Sequence, residues 1–185
     1  IVNAAISNIS TGDGATTTNT VMVNSGGIVS GAITGGDGID DVTVNNGGLV
    51  GSIDTAANIV GRMDGKDSQL KTIMIGSHID SVIGGGNYDG QVGSLGAIEV
   101  VKTINENNIH LRHPIEVVIF SNEEGGKTGS RAMANLVEDF ELNIVTDSGH
   151  TIGEGLSLNG GDPNKLEDAS RDSNSIAGYL ELHIE

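Results

Sequence analysis

The stretch Leu70–Asn107, LKTIMIGSHIDSVIGGGNYDGQVGSLGAIEVVKTINEN, decides the fold. It opens with a nearly continuous apolar run, Leu70–His78, of the kind that fills a strand buried on both faces. It closes with Gln91–Asn107, where Leu95, Ile98, Val101 and Ile104 recur at helical spacing and predict one shared apolar face. A glycine-rich loop joins the two. Downstream, PIEVVIFSN (Pro114–Asn122) predicts a second buried strand, GSRAMANLVEDF (Gly129–Phe140) a helix, and AGYLELHIE (Ala177–Glu185) a third strand with a histidine inside it. Residues 141–176 are mixed. Strand, helix, strand with nearly continuous apolar strands implies an α/β domain with a largely parallel core sheet.

Composition narrows the chemistry. The 185 residues suit one domain, or one domain with an appendage, and with 2% aromatics and no Trp the core must come mainly from Ile, Val, Leu and Ala. The formal charge of -16 argues against nucleic acid or an anionic membrane surface as partner, because both repel it. The absence of cysteine excludes disulfides and thiolate metal sites, so any metal must be held by His and carboxylate. No apolar run reaches transmembrane length, and no signal peptide is evident.

Residues 1–50 differ from residues 51–185 in texture. They are rich in Gly, Thr, Asn and Ser, and VMVNSGGIVSGAI from Val21 returns as VTVNNGGLVGSI from Val42, which reads as β-solenoid rungs. Between the copies, GGDGIDDVT (Gly35–Thr43) fits the calcium-binding nonapeptide, with Asp37 and Asp40 as candidate calcium residues. A single copy cannot enclose calcium, and a Gly/Asp surface turn is the better reading.

The chemistry-bearing residues lie at strand ends. His78 and Asp80 follow the first strand, the loop delivers Asp89 at the helix start, and the second strand ends in Glu123-Glu124. In open α/β sheets the carboxyl ends of strands form the ligand crevice, so these groups should converge. Singly, each has an ordinary explanation: a strand-ending histidine, turn or N-cap aspartates, a solvated acidic loop. Together the carboxylates repel one another unless a cation offsets them, and a thiolate-free set suits zinc or a similar divalent ion such as manganese. Asp80, two residues from His78, can orient the imidazole; Asp89 can bridge two metals and Glu124 complete the second, while Glu123 points elsewhere as general base. His110, His113 and His150 lie in polar connections and receive no function.

At these residues the sequence resembles the metal-dependent amidohydrolases that include N-carbamoyl-L-amino-acid hydrolase, allantoate amidohydrolase and β-ureidopropionase, relatives of aminoacylase and of dizinc exopeptidases. The matching text is IDTAANIVGRMDG, KTIMIGSHIDSVIGGGNYDGQVGSLGAIEVVKTI, HPIEVVIFSNEEG, GSRAMA and YLELHIE, from about Gly48 to Glu185. The resemblance implies that His78, Asp89, Glu124 and His183 are metal ligands with Asp89 bridging, that Asp80 stands behind His78, and that Glu123 is the general base. It implies two divalent ions, zinc or manganese with nickel and cobalt as further candidates, and hydrolysis of a small N-carbamoyl or ureido substrate by metal-activated water. It also implies a cytoplasmic enzyme that dimerises through a smaller lid domain.

Three departures qualify this. The loop between Glu124 and Gly129 is short, the chain stops before the Gln-Gly that ordinarily follows HIE and before the lid and dimerisation domain, and residues 1–50 replace the family's N-terminal helices. The expectation is a partial catalytic domain in residues 51–185 with weak or no turnover. The competing expectation is an exported, non-catalytic β-repeat surface or adhesion protein carrying a hydrolase remnant.

Overall fold

The computed structural model describes residues 51–184 in full and, before them, only the backbone of the strand segments at 9–10, 19–23, 28–29, 33–34, 40–44 and 49–50. Asp37 lies outside the described residues, and of Asp40 only the backbone is described, so the calcium reading has no described geometry. The early strands are β1 (Ile9–Ser10), β2 (Asn19–Val23), β3 (Ile28–Val29), β4 (Ile33–Thr34), β5 (Asp40–Val44) and β6 (Leu49–Ile53). They pair in parallel, with Val21 opposite Val42, the positions at which the two repeat copies begin.

The remaining strands are β7 (Ile59–Met63), β8 (Thr72–His78), β9 (Ile115–Phe120) and β10 (Ile176–Leu180); the helices are α1 (Gln91–Glu106), α2 (Thr128–Met133) and α3 (Ile152–Leu158). The central sheet has the order β10-β8-β9-β7-β6-β3. The expected parallel core is the β10, β8, β9 triplet, and β7 runs antiparallel to both β9 and β6, so the fold is mixed α/β.

Period-two alternation in β8 and β9 sends residues to opposite faces. On one face Ile75, Ile115 and Val117 pack with Met63 beneath Ala97 and Val101 of α1. On the other, Met74, Val118 and Phe120 pack with Val60 and with Met133 of α2. Each fully buried aliphatic side chain of this kind contributes roughly 1.5–3 kcal/mol. The sheet tolerates tight contact at Gly76, where a Cβ would lie 1.7 Å from the Val118 carbonyl oxygen. Glu116, 7% exposed on β9, is offset by Arg62 at 2.9 Å and Arg171 at 3.5 Å, so the buried carboxylate keeps its counter-charges.

Two predicted elements change. Leu95 does not join the buried stripe of α1 and is 63% exposed, while Ser94, Ala97 and Val101 face the sheet. The helix predicted over Gly129–Phe140 stops at Met133, because Asn135 turns to a positive φ of 56° and the Leu136 N–H returns to the Arg131 carbonyl. Among the described residues no helix is long and apolar enough to cross a membrane.

Candidate metal centre

The carboxyl ends of β8 and β9 deliver most of the site. His78 ends β8, and its side chain is 0% exposed. Its backbone carbonyl accepts from Ser94 Oγ on α1 at 2.7 Å, and its Nδ1 lies 3.0 Å from the Asp80 carbonyl oxygen. That acceptor places the ring proton on Nδ1 and leaves the Nε2 lone pair facing the crevice. The Asp80 carboxylate stands further off, 3.6 Å from Nδ1, and its Oδ2 accepts from the Glu124 N–H at 3.0 Å. Asp80 thus meets the imidazole with its carbonyl and ties the β9 loop with its carboxylate.

Asp89 enters from the loop before α1. It does not cap the helix: the N-cap is Gly90, at φ 68°, with no side-chain cap hydrogen bond. Asp89 Oδ1 instead lies 3.6 Å from His78 Nε2 and 3.8 Å from His183 Nε2. Gly90 is required here, since a Cβ would meet the His78 ring at 2.5 Å and a positive φ strains any other residue.

Glu123 and Glu124 sit in the turn after β9. Glu123 Oε2 is 3.9 Å from His78 Nε2, and Oε1 is 3.9 Å from Lys127 Nζ; the Glu123 side chain therefore faces the cluster, where the sequence reading had it pointing elsewhere. The Glu124 carboxyl is held above the usual range, first by loss of hydration, then by the hydrogen bond and charge of Asp89 and by the charge of Glu123.

His183 completes the group from beyond the end of β10 and not, as expected, from inside a strand. Its Nε2 lies 3.2 Å from His78 Nε2. Ligand atoms of His78, Glu123 and His183 all fall within 4.8 Å of one another.

The donor set fits a divalent cation. Asp80 Oδ1 and Asp89 Oδ1 are buried without a hydrogen-bond partner, a state buried polar atoms seldom keep. Carboxylate oxygens and imidazole nitrogens converging without thiolate are the donors that zinc or manganese accepts.

Sequence reasoning missed the support beneath this turn. Asn58, 0% exposed, donates through Nδ2 to Asp54 Oδ2 at 3.0 Å and to the Gly129 carbonyl at 3.1 Å, and its Oδ1 accepts from the Ser121 N–H at 3.0 Å. These bonds clamp both ends of the segment carrying Glu123 and Glu124. The available signal was a lone asparagine against the apolar run that becomes β7.

The sequence pattern of peptidase family M28 matches residues 58–180. The chain belongs to that family. It is 41% identical over 137 residues to an N-carbamoyl-L-amino acid amidohydrolase of Geobacillus stearothermophilus, covering 71% of this chain and 34% of the relative. It is 33% identical over 151 residues to an allantoate deiminase of Arabidopsis thaliana, covering 77% and 29%. Among solved structures it is similar to a hydantoinase/carbamoylase family amidase from Burkholderia ambifaria, with a TM-score of 0.64 and 32% identity over 74% of this chain and 34% of that one. The resemblance drawn from the sequence is borne out. The chain spans about a third of the length of the curated relatives it matches.

Proposed function

We propose that residues 51–185 form the metal-holding part of a hydrolase acting on linear carbamoyl or amide C–N bonds, with a small N-carbamoyl amino acid or an allantoate-type ureido compound as substrate. The observation that carries this reading is the pair of imidazole Nε2 atoms 3.2 Å apart, faced by the unsatisfied buried carboxylate oxygen of Asp89. The names of the relatives support the substrate class.

In this reading His78, Asp89, Glu124 and His183 would hold two divalent ions, zinc or manganese. A bound divalent ion supplies Lewis-acid polarisation of a carbonyl oxygen and lowers the pKa of water. Glu123 takes the proton from the attacking water and returns it to the departing nitrogen. Asp80 holds the His78 ring through its carbonyl and aligns the Glu124 backbone through its carboxylate.

A second assignment for Glu123 is favoured by its grouping with His78 and His183, which suits a ligand as well as a base. Glu123→Gln separates the two roles. The zinc- or manganese-loaded chain is assayed for ammonia or amino acid released from N-carbamoyl amino acids and allantoate. Turnover is expected to be low, and as a base Glu123 gives a variant that keeps its metal affinity and loses hydrolysis. As a ligand it gives one that loses both. Failure to take up either metal at large molar excess overturns the whole reading.

A further inference from the structure

A cleft of about 520 Å³ opens directly beside the His/carboxylate cluster, with Asp80 and Glu124 in the shared wall. Its volume lies in the range of small-molecule sites. The rest of the lining includes Val82 and Ile83 from the loop after β8, Ala57, and Ile152 and Leu156 of α3. Ile83 is 90% and Val82 52% exposed, so apolar surface is open to an incoming ligand.

Charge decides what part of a substrate belongs there. Among the described residues no Lys, Arg or His lines the cleft, whereas Asp80, Glu124 and Asp147 do. Apart from any ion held at Glu124, a substrate carboxylate entering it would meet like charges and no basic side chain. Several polar side chains of the wall are engaged within the fold. Ser121 Oγ donates to the Ala56 carbonyl at 2.6 Å and Thr146 Oγ1 to the His150 carbonyl at 3.0 Å. Asn122 Nδ2 donates to Thr128 Oγ1 at 2.8 Å, and Asn159 Nδ2 to the Gly155 carbonyl at 2.8 Å. A second ureido group would have to compete with these bonds, while an aliphatic group would lose nothing by leaving water.

Resting on the hydrolase reading above, we propose that this cleft seats the uncharged aliphatic side chain of an N-carbamoyl amino acid and keeps the substrate's carboxylate outside. The site thereby selects aliphatic N-carbamoyl amino acids over ureido compounds of allantoate type.

Gly155 offers a way to fill the cleft without disturbing the fold. It lines the cleft from inside α3, and a Cβ there would have no atom within 4 Å. Gly155→Leu puts a side chain into that space and replaces glycine with a better helix former. The zinc-loaded chain and this variant are titrated by calorimetry with N-carbamoyl-L-leucine, N-carbamoylglycine and allantoate. In the wild type the leucine derivative is expected to bind about tenfold or more tighter than the glycine derivative. Gly155→Leu should erase that advantage, with zinc content and the Kd of the glycine derivative unchanged and Tm equal or higher. Equal affinities in the wild type, an advantage that survives in Gly155→Leu, or allantoate as the tightest ligand overturns the proposal. Zinc uptake with none of the three ligands bound also overturns it and leaves the metal-site reading standing. No zinc uptake overturns both.

Discussion

His78 and His183 bring their Nε2 atoms within 3.2 Å of each other, yet the molecule holds them in opposite ways. His78 is wholly buried at the end of a central strand, bonded through its ring to Asp80 and through its carbonyl to Ser94. His183 follows the end of β10, its side chain is 36% exposed, and among the described residues β10 pairs only with β8. One imidazole is set by the same packing that forms the sheet. The other rests on an edge, with Leu182 and Ile184 exposed beside it. Two imidazoles of one cluster can therefore have very different couplings to stability.

Alanine replacement should expose the contrast. His78→Ala is expected to lower metal affinity by more than about 100-fold and to destabilise the fold by about 2–4 kcal/mol, because it empties a buried position. His183→Ala should cause a comparable loss of affinity with a stability change within about 0.5 kcal/mol. Metal titration and chemical denaturation of both variants check this; equal destabilisation would break the comparison.

The buried side of the centre can also be loosened from below. Asn58→Ala leaves the Ser121 N–H and the Gly129 carbonyl without their partner, and each unsatisfied buried group costs about 1–3 kcal/mol. A total near 3 kcal/mol is expected, together with a roughly tenfold weaker metal affinity as the Glu123-Glu124 turn loses its clamp. Val118→Ala serves as control: a core change of similar cost outside the clamp, expected to leave affinity unchanged in the folded fraction.

The smallest effect lies away from the centre. Arg131 and the Glu138 N–H hold the Glu141 carboxyl below its ordinary value of 4.5. A carboxylate whose folded pKa is depressed contributes stability above the unfolded value and loses it as pH falls through the folded one. Arg131→Ala should therefore lower Tm slightly at pH 7, and the difference should shrink at acidic pH to what the bond to the Leu136 carbonyl contributes, with metal uptake at pH 7 unaltered. A Tm difference that does not shrink in acid would contradict this.

Much of this was legible in the sequence because buried strands and glycine punctuation are strong signals. β8 and β9 lie inside the apolar runs read for them, and α1 starts at the predicted Gln91. Convergence at the strand ends followed from sheet topology alone. β7 escaped, since IVGRM is short and carries Gly and Arg. Periodicity marked Leu95 as core, but side-chain direction on α1 gave that face to Ser94, Ala97 and Val101. Residue types could place Asp80 near His78 but not decide that its carbonyl, and not its carboxylate, accepts the hydrogen bond from the ring N–H. Nor could alternation decide that Glu123 faces inward, because the turn after β9 leaves extended geometry at Asn122, φ 47°.

The most direct measurement is a cobalt titration of the wild type, His78→Ala and His183→Ala, followed by visible absorption and by X-ray absorption at the metal edge. The account predicts stoichiometric uptake by the wild type with imidazole nitrogen in the coordination shell, and loss of one imidazole contribution in each variant. Uptake that neither substitution alters, or none at large molar excess, would contradict it.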